Sequence, residues 1–95
     1  MNEFGLKQAV LDFIIEAARE CDMDEVVLFG SRATGRFAPK SDIDLAISGN
    51  RFNDFTGLLD EKCPTLLSFD FVNLSNSVNS ELQKRILEEG VQLYG

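Results

Sequence analysis

The tightest constraint on this chain is the stretch from Val26 to Ser48, VVLFGSRATGRFAPKSDIDLAIS. An apolar run, Val26-Val27-Leu28-Phe29, is cut by Gly30-Ser31; ten residues later Asp42-Ile43-Asp44-Leu45 opens a second apolar run. The pattern predicts a strand, a tight turn, a short helix or loop, and a second strand. Side chains on a strand alternate between faces, so Asp42 and Asp44 share one face. Ile43, Leu45 and Ile47 take the other, which is the core face. Two carboxylates side by side repel each other and gain nothing for folding. A divalent cation removes that repulsion, and Mg²⁺ favours one or two carboxylates plus substrate phosphates. Gly30 permits a backbone geometry that a Cβ would hinder. Ser31 and the N–H groups after it then open a helix whose N-terminus suits an anion. A phosphate grip at one end and a metal at the other are the two parts a phosphoryl or nucleotidyl transfer requires.

Each half of this pattern has an ordinary reading. Gly-Ser after a strand makes a plain turn, and Ser-Asp before an apolar run makes a plain polar lead-in. Together, between two strands, they resemble the signature of the DNA polymerase beta-type nucleotidyltransferase superfamily: Gly30-Ser31, ten residues, then Asp42-x-Asp44. The neighbours Phe29-Gly30-Ser31-Arg32-Ala33-Thr34-Gly35 and Ser41-Asp42-Ile43-Asp44-Leu45 are similar to those of its smallest members, the minimal nucleotidyltransferases that act as antitoxins beside HEPN-domain toxins. The resemblance spans the whole chain. It implies an α/β (α+β) nucleotidyltransferase fold with a mixed sheet whose second and third strands are adjacent. It further implies ATP as substrate, two Mg²⁺ ions, and transfer of AMP to a hydroxyl, a tyrosine of the HEPN partner.

Composition narrows the alternatives. Ninety-five residues, 44% of them hydrophobic, make one domain over 1–95 with one modest core. A net charge of −7 disfavours binding to long nucleic acid or anionic membrane. No apolar stretch reaches transmembrane length, and MNEFGLKQ carries no signal-peptide pattern, so a cytoplasmic location is expected. Cys21 and Cys63 lack metal-ligand spacing and read as small buried hydrophobes. The absence of histidine excludes Ser-His-Asp and Cys-His catalysis. Asp42-x-Asp44 lacks the later Gly and Glu of a calcium loop, and Gly30 to Gly35 is not followed by the Lys-Ser/Thr of a P-loop.

Around this centre, Phe4 to Cys21 has a helical stripe (Leu6, Val10, Phe13, Ile14, Ala17). Glu25 to Phe29 is the first strand. The loop 32–41 carries Arg32, Arg36 and Lys40; Arg32, next to Ser31, is the favoured triphosphate contact, while solvation explains Arg36 and Lys40 equally well. Ile43 to Ser48 is the second strand, and Phe52 to Glu61 a short helix ended by Pro64. Leu66 to Leu74 is the third strand, expected to be well buried, with Asp70 between Phe69 and Phe71. A buried carboxylate costs several kcal/mol unless paired or metal-bound, and in the resemblance Asp70 matches the third metal carboxylate. The competing reading is an edge strand with Asp70 in water. Asn79 or Ser80 caps the last helix, with Leu82, Ile86 and Leu87 as its stripe, and Val91 to Tyr94 is a short apolar tail. The expected architecture is a three-stranded sheet with helices on one face and a shallow cleft on the other.

The catalytic expectation follows. Asp42, Asp44 and Asp70 bind metal, and Gly30, Ser31 and Arg32 hold the triphosphate. Little in the chain would read a base, so a partner is expected to complete the site or to be the substrate, with Phe52, Phe55 and Tyr94 as candidate contacts. Two rivals remain: a non-catalytic antitoxin that neutralises by occlusion, and a small-molecule adenylyltransferase.

Overall fold

A computed structural model describes residues 2–95. Helix α1 (Gln8–Glu20) leads into strand β1 (Glu25–Phe29), short helix α2 (Ser31–Thr34) and strand β2 (Ile43–Ser48). Helix α3 (Phe52–Lys62), strand β3 (Phe69–Asn73), helix α4 (Ser80–Glu89) and strand β4 (Val91–Tyr94) complete the chain. The sheet is mixed, in the order β3-β2-β1-β4. Strand β1 runs antiparallel to β2 and β4, while β2 and β3 are parallel, joined through α3.

Alternation sorts each strand. Val26 and Leu28 of β1 and Ile43, Leu45 and Ile47 of β2 point to one face, where α1 and α3 cover them with Val10, Ile14, Ala18, Phe55 and Leu59. Each fully buried aliphatic side chain there stabilises the fold by about 1.5–3 kcal/mol. The expected stripe of α1 is buried at Val10, Ile14 and Ala17. The helix starts at Gln8 rather than Phe4 for a local reason. Asn2 Oδ1 accepts from the Phe4 and Leu6 N–H groups, and Gly5 lies at φ 68°, so both hold the chain out of helical geometry. Asn79 caps α4 by accepting from the Leu82 N–H.

Three expectations about architecture are corrected. The sheet has four strands, not three, because Val91–Tyr94 pairs with β1. Helices lie on both faces: Leu82 and Ile86 of α4 pack with Val27, Phe29, Ala46, Val72 and Leu74 on the side opposite α1 and α3. Strand β3 is an edge strand that starts at Phe69, so Asp70 is exposed rather than buried. The strand starts late because Cys63 to Leu67 is held in a turn, with the Thr65 hydroxyl accepting from the Leu67 N–H.

Candidate active site

The acids meet through strand register. Asp44 of β2 is paired in parallel register with Asp70 of β3, and adjacent strands lie about 4.8 Å apart. Both side chains project to the face opposite Ile43, Leu45 and Phe69. Asp42 sits one residue before β2, exposed at the mouth of the strand. The Asp44 carboxyl is pushed above the usual carboxylate range, first by burial, then by repulsion from Asp70 and Asp42, with Arg85 of α4 opposing the shift. Three negative charges thus act on one another here.

Gly30 belongs to the same site. Strand β1 places Phe29 opposite Asp44, so Gly30 emerges beside that carboxylate. Its backbone, at φ 74° and ψ −155°, lies in a region open essentially only to glycine. A Cβ at Gly30 would collide with the Asp44 carboxylate oxygen. The glycine therefore lets the acid and the turn come together. Ser31 follows as the first residue of α2 and is half-buried. The first N–H groups of any helix lack intrahelical partners, so this turn offers donors next to the acids.

Arg32 does something other than expected. It is 1% exposed. Its Nε donates to the Ser41 carbonyl, Nη1 to Phe4 and Gly5, and Nη2 to Pro39 and Ser41. Its guanidinium also lies over the Phe37 ring, 5.1 Å from the centroid. All five N–H donors of the group have protein partners, which leaves none for a triphosphate. The expected phosphate contact is corrected to a buried clasp: Arg32 fixes the carbonyl immediately before Asp42 and ties the N-terminal segment to the 36–41 loop. Arg36 and Lys40 remain exposed.

Sequence reasoning missed Arg85. It stands beside Ile86, which anchors α4 to the acidic face, and its charge is felt at Asp44. The signal was present in the helical period, since Arg85 lies three residues after Leu82 on the flank of the packed stripe. Of the other candidates, Phe55 is wholly buried, and Phe52 and Tyr94 pack against the same core.

The donor set fits Mg²⁺. It is all oxygen, it holds mutually repelling carboxylates, and it leaves room for substrate ligands. Among the described residues no group of three or more His, Cys, Asp or Glu side chains is placed to hold a metal ion, so the expected trio of Asp42, Asp44 and Asp70 is not assembled as a ligand set. The acids are neighbours through register and charge, open toward a substrate that would supply the remaining oxygens.

A family model described as polymerase beta nucleotidyltransferase matches residues 13–95. The fold is similar to a crystal structure of a toxin–antitoxin with AMP-PNP, at 26% identity and TM-score 0.66, over 90% of this chain and 73% of that one. It is also similar to a mutant of the toxin–antitoxin MntA–HpeT, at 23% identity and TM-score 0.65, over 100% of this chain and 74% of that one; this second likeness bears on fold alone. No curated protein matches the chain.

Proposed function

The chain belongs to the polymerase beta nucleotidyltransferase family, and from that premise we propose that it is an antitoxin that transfers AMP from ATP to a tyrosine hydroxyl of a HEPN-type toxin. The observation that carries the reading is Asp44, held between Asp70, Asp42 and the Gly30 turn. A cationic ligand or a proton relieves the repulsion that Arg85 offsets only in part. The similar toxin–antitoxin, solved with AMP-PNP, supports an adenine nucleotide and a toxin as partner.

Asp42 and Asp44, with Asp70, would hold Mg²⁺. When bound, Mg²⁺ neutralises phosphoryl oxygens and lowers the pKa of a coordinated hydroxyl. The chain's own groups do the rest. Gly30 and Ser31 present N–H and hydroxyl donors to the β- and γ-phosphates. Arg85, on the same face, takes the role of cationic phosphate contact that the clasped Arg32 cannot fill. The acceptor oxygen attacks the α-phosphorus, the bond to the pyrophosphate oxygen breaks, and the acceptor proton passes to the exposed Asp70 carboxylate.

The test is incubation with α-labelled ATP, Mg²⁺ and the product of the adjacent gene. Label should move to that product with the wild-type chain and not with Asp42→Asn. Neutralisation of the toxin by Asp42→Asn, with no transfer by wild type, would replace this reading with neutralisation by occlusion.

A further inference from the structure

The buried guanidinium of Arg32 has no acidic partner. None of the ion pairs among the described residues includes it, and its donors all end on main-chain carbonyls. Taking a charge out of water is costly, and a buried charge is an inefficient source of stability. What a guanidinium supplies is direction. Its N–H groups form a rigid planar fork, so the carbonyls that meet it are fixed relative to one another.

The carbonyls fixed here lead into the acidic site. Nε at 3.1 Å and Nη2 at 2.9 Å converge on the Ser41 carbonyl, which belongs to the peptide unit joining Ser41 to Asp42. Ser41 is held by its other polar groups as well. Its N–H donates to the Ala38 carbonyl, and its hydroxyl accepts from the Ala38 N–H. One residue beyond Asp42, the Ile43 N–H donates to the Ser68 carbonyl, where the pairing with β3 begins. Asp42 is therefore an exposed side chain on a backbone pinned on both sides. Arg32 itself stands two residues after Gly30, which abuts the Asp44 carboxylate so closely that a Cβ would overlap it. Residues 30–32 thus meet 41–44 at two points, Ser41 and Asp44, with Asp42 between them.

The far side of the guanidinium is built by a hook at residues 2–6. Asn2 Oδ1 accepts from the Phe4 and Leu6 N–H groups, and the Asn2 carbonyl accepts from the Gly5 N–H. The hook so closed turns the Phe4 and Gly5 carbonyls to Nη1. The Phe37 ring lies over the guanidinium and packs so closely on Gly5 that a Cβ there would overlap it. The hook precedes residues 13–95, the stretch that matches the family model, so this buttress is a feature of the chain that the family match does not describe.

We propose that Arg32 is a positioning residue for nucleotidyl transfer: it acts through the Ser41 carbonyl, holds Asp42 in place against the Gly30–Ser31 turn, and touches neither nucleotide nor acceptor. The proposal rests on the reading that the chain transfers a nucleotide. It separates three roles by what their loss does. Loss of a phosphate contact weakens nucleotide binding. Loss of stability alone lowers the folded fraction and leaves the site unchanged. Loss of positioning lowers kcat at nearly unchanged KM.

The experiment compares Arg32→Lys and Phe37→Leu with Leu59→Ala, a cavity in the core on the face away from the acids, which lowers stability without touching the clasp. The first readout is amide hydrogen exchange on the full chain without nucleotide or metal, with the β1 amides in each sample reporting any general loss of stability. Beyond that loss, Arg32→Lys should speed exchange at the Ser41 and Ile43 N–H groups by about tenfold, the worth of one hydrogen bond to a charged group. Phe37→Leu should speed it by about threefold, the worth of the lost cation–π contact. The second readout is AMP transfer to the product of the adjacent gene, at a temperature where each variant is folded. Arg32→Lys should lower kcat by about a hundredfold and leave the KM for ATP within about twofold. Phe37→Leu should lower kcat by about threefold, and Leu59→Ala should change neither constant. Phe37→Leu carries both readouts if Arg32→Lys does not fold. Exchange no faster than the β1 amides explain, or an unchanged kcat, overturns the assignment. A raised KM with kcat intact overturns it in favour of direct phosphate contact. A wild type that transfers nothing overturns the function reading, and the exchange readout then upholds or overturns the hold on Asp42 by itself.

Discussion

Replacing Asp44 by Asn should make the metal-free protein more stable. The isosteric change removes one charge from a trio while leaving β2 and its register in place. Asp44 is paired in register with Asp70, about 5 Å away across adjacent strands. Two unit charges at that distance repel by about 0.8 kcal/mol in bulk water and about 3 kcal/mol at an effective dielectric of 20. Asp70 is exposed, so screening pulls the value toward the lower limit, about 1 kcal/mol. For a domain of this size that corresponds to a rise in Tm of about 4–8 °C. The sign agrees with linkage. Because folding raises the Asp44 pKa above its ordinary 3.8, the associated stability is present below that value and lost as pH rises through the folded pKa. The assay is thermal unfolding by circular dichroism in low salt, with EDTA or with millimolar Mg²⁺. Wild type should gain stability from Mg²⁺, and Asp44→Asn should gain little. A Tm for Asp44→Asn below wild type in EDTA would refute the claim that the acids are held together against their mutual repulsion.

Three further outcomes follow from the same geometry. Arg32→Ala should lower the urea-unfolding free energy by about 3 kcal/mol, since it strands one buried and several part-buried carbonyls, and Arg32→Lys should recover little of this because an ammonium cannot span them. Gly30→Ala should cost about 1–3 kcal/mol by thermal melt, from backbone strain and the collision with Asp44, and should abolish labelled-nucleotide transfer. Burial pushes the Cys63 thiol up to about 11, so iodoacetamide at pH 8 should modify it far more slowly in the folded protein than in urea. Stability tied to that thiol should then fall as pH rises from about 9 toward 11, read as a drop in Tm.

The parts of this molecule that were legible in the sequence are those written locally. Asp42-x-Asp44 is visible because the strand period is two, and Gly30 because a glycine ending an apolar run marks a special backbone. The paired apolar faces of β1 and β2 are read in the same way. What escaped depends on the third dimension. Val91–Tyr94 is only four residues long, and nothing local says that it pairs with β1. The side of the sheet that α4 covers is set by Ile86 meeting Val27 and Phe29, contacts between residues far apart in the chain. Arg32 was misread for a physical reason: a sequence shows that a residue is charged, not that five N–H donors can be satisfied by carbonyls from two distant segments.

That misreading bears on how the site works. If Arg32 bound phosphate, it would have to leave its partners on each cycle and expose the Phe4, Gly5, Pro39 and Ser41 carbonyls. A buried acceptor left unpaired costs about 1–3 kcal/mol, and the Phe4 carbonyl is one, so such a swing would be costly and would loosen the segment that carries Asp42. A fixed clasp reverses the consequence. It joins the helix that starts at Ser31 to the residue before Asp42, so the phosphate turn and the acidic strand move as one body. On the proposed reading, positioning then precedes substrate, and the charge that meets a mobile triphosphate is left to Arg85 on the same face, whose side chain is exposed. Rigid acids beside an exposed cation would place the reacting phosphorus before the acceptor arrives, and misplacement by as little as about 1 Å can cost on the order of a hundredfold in rate.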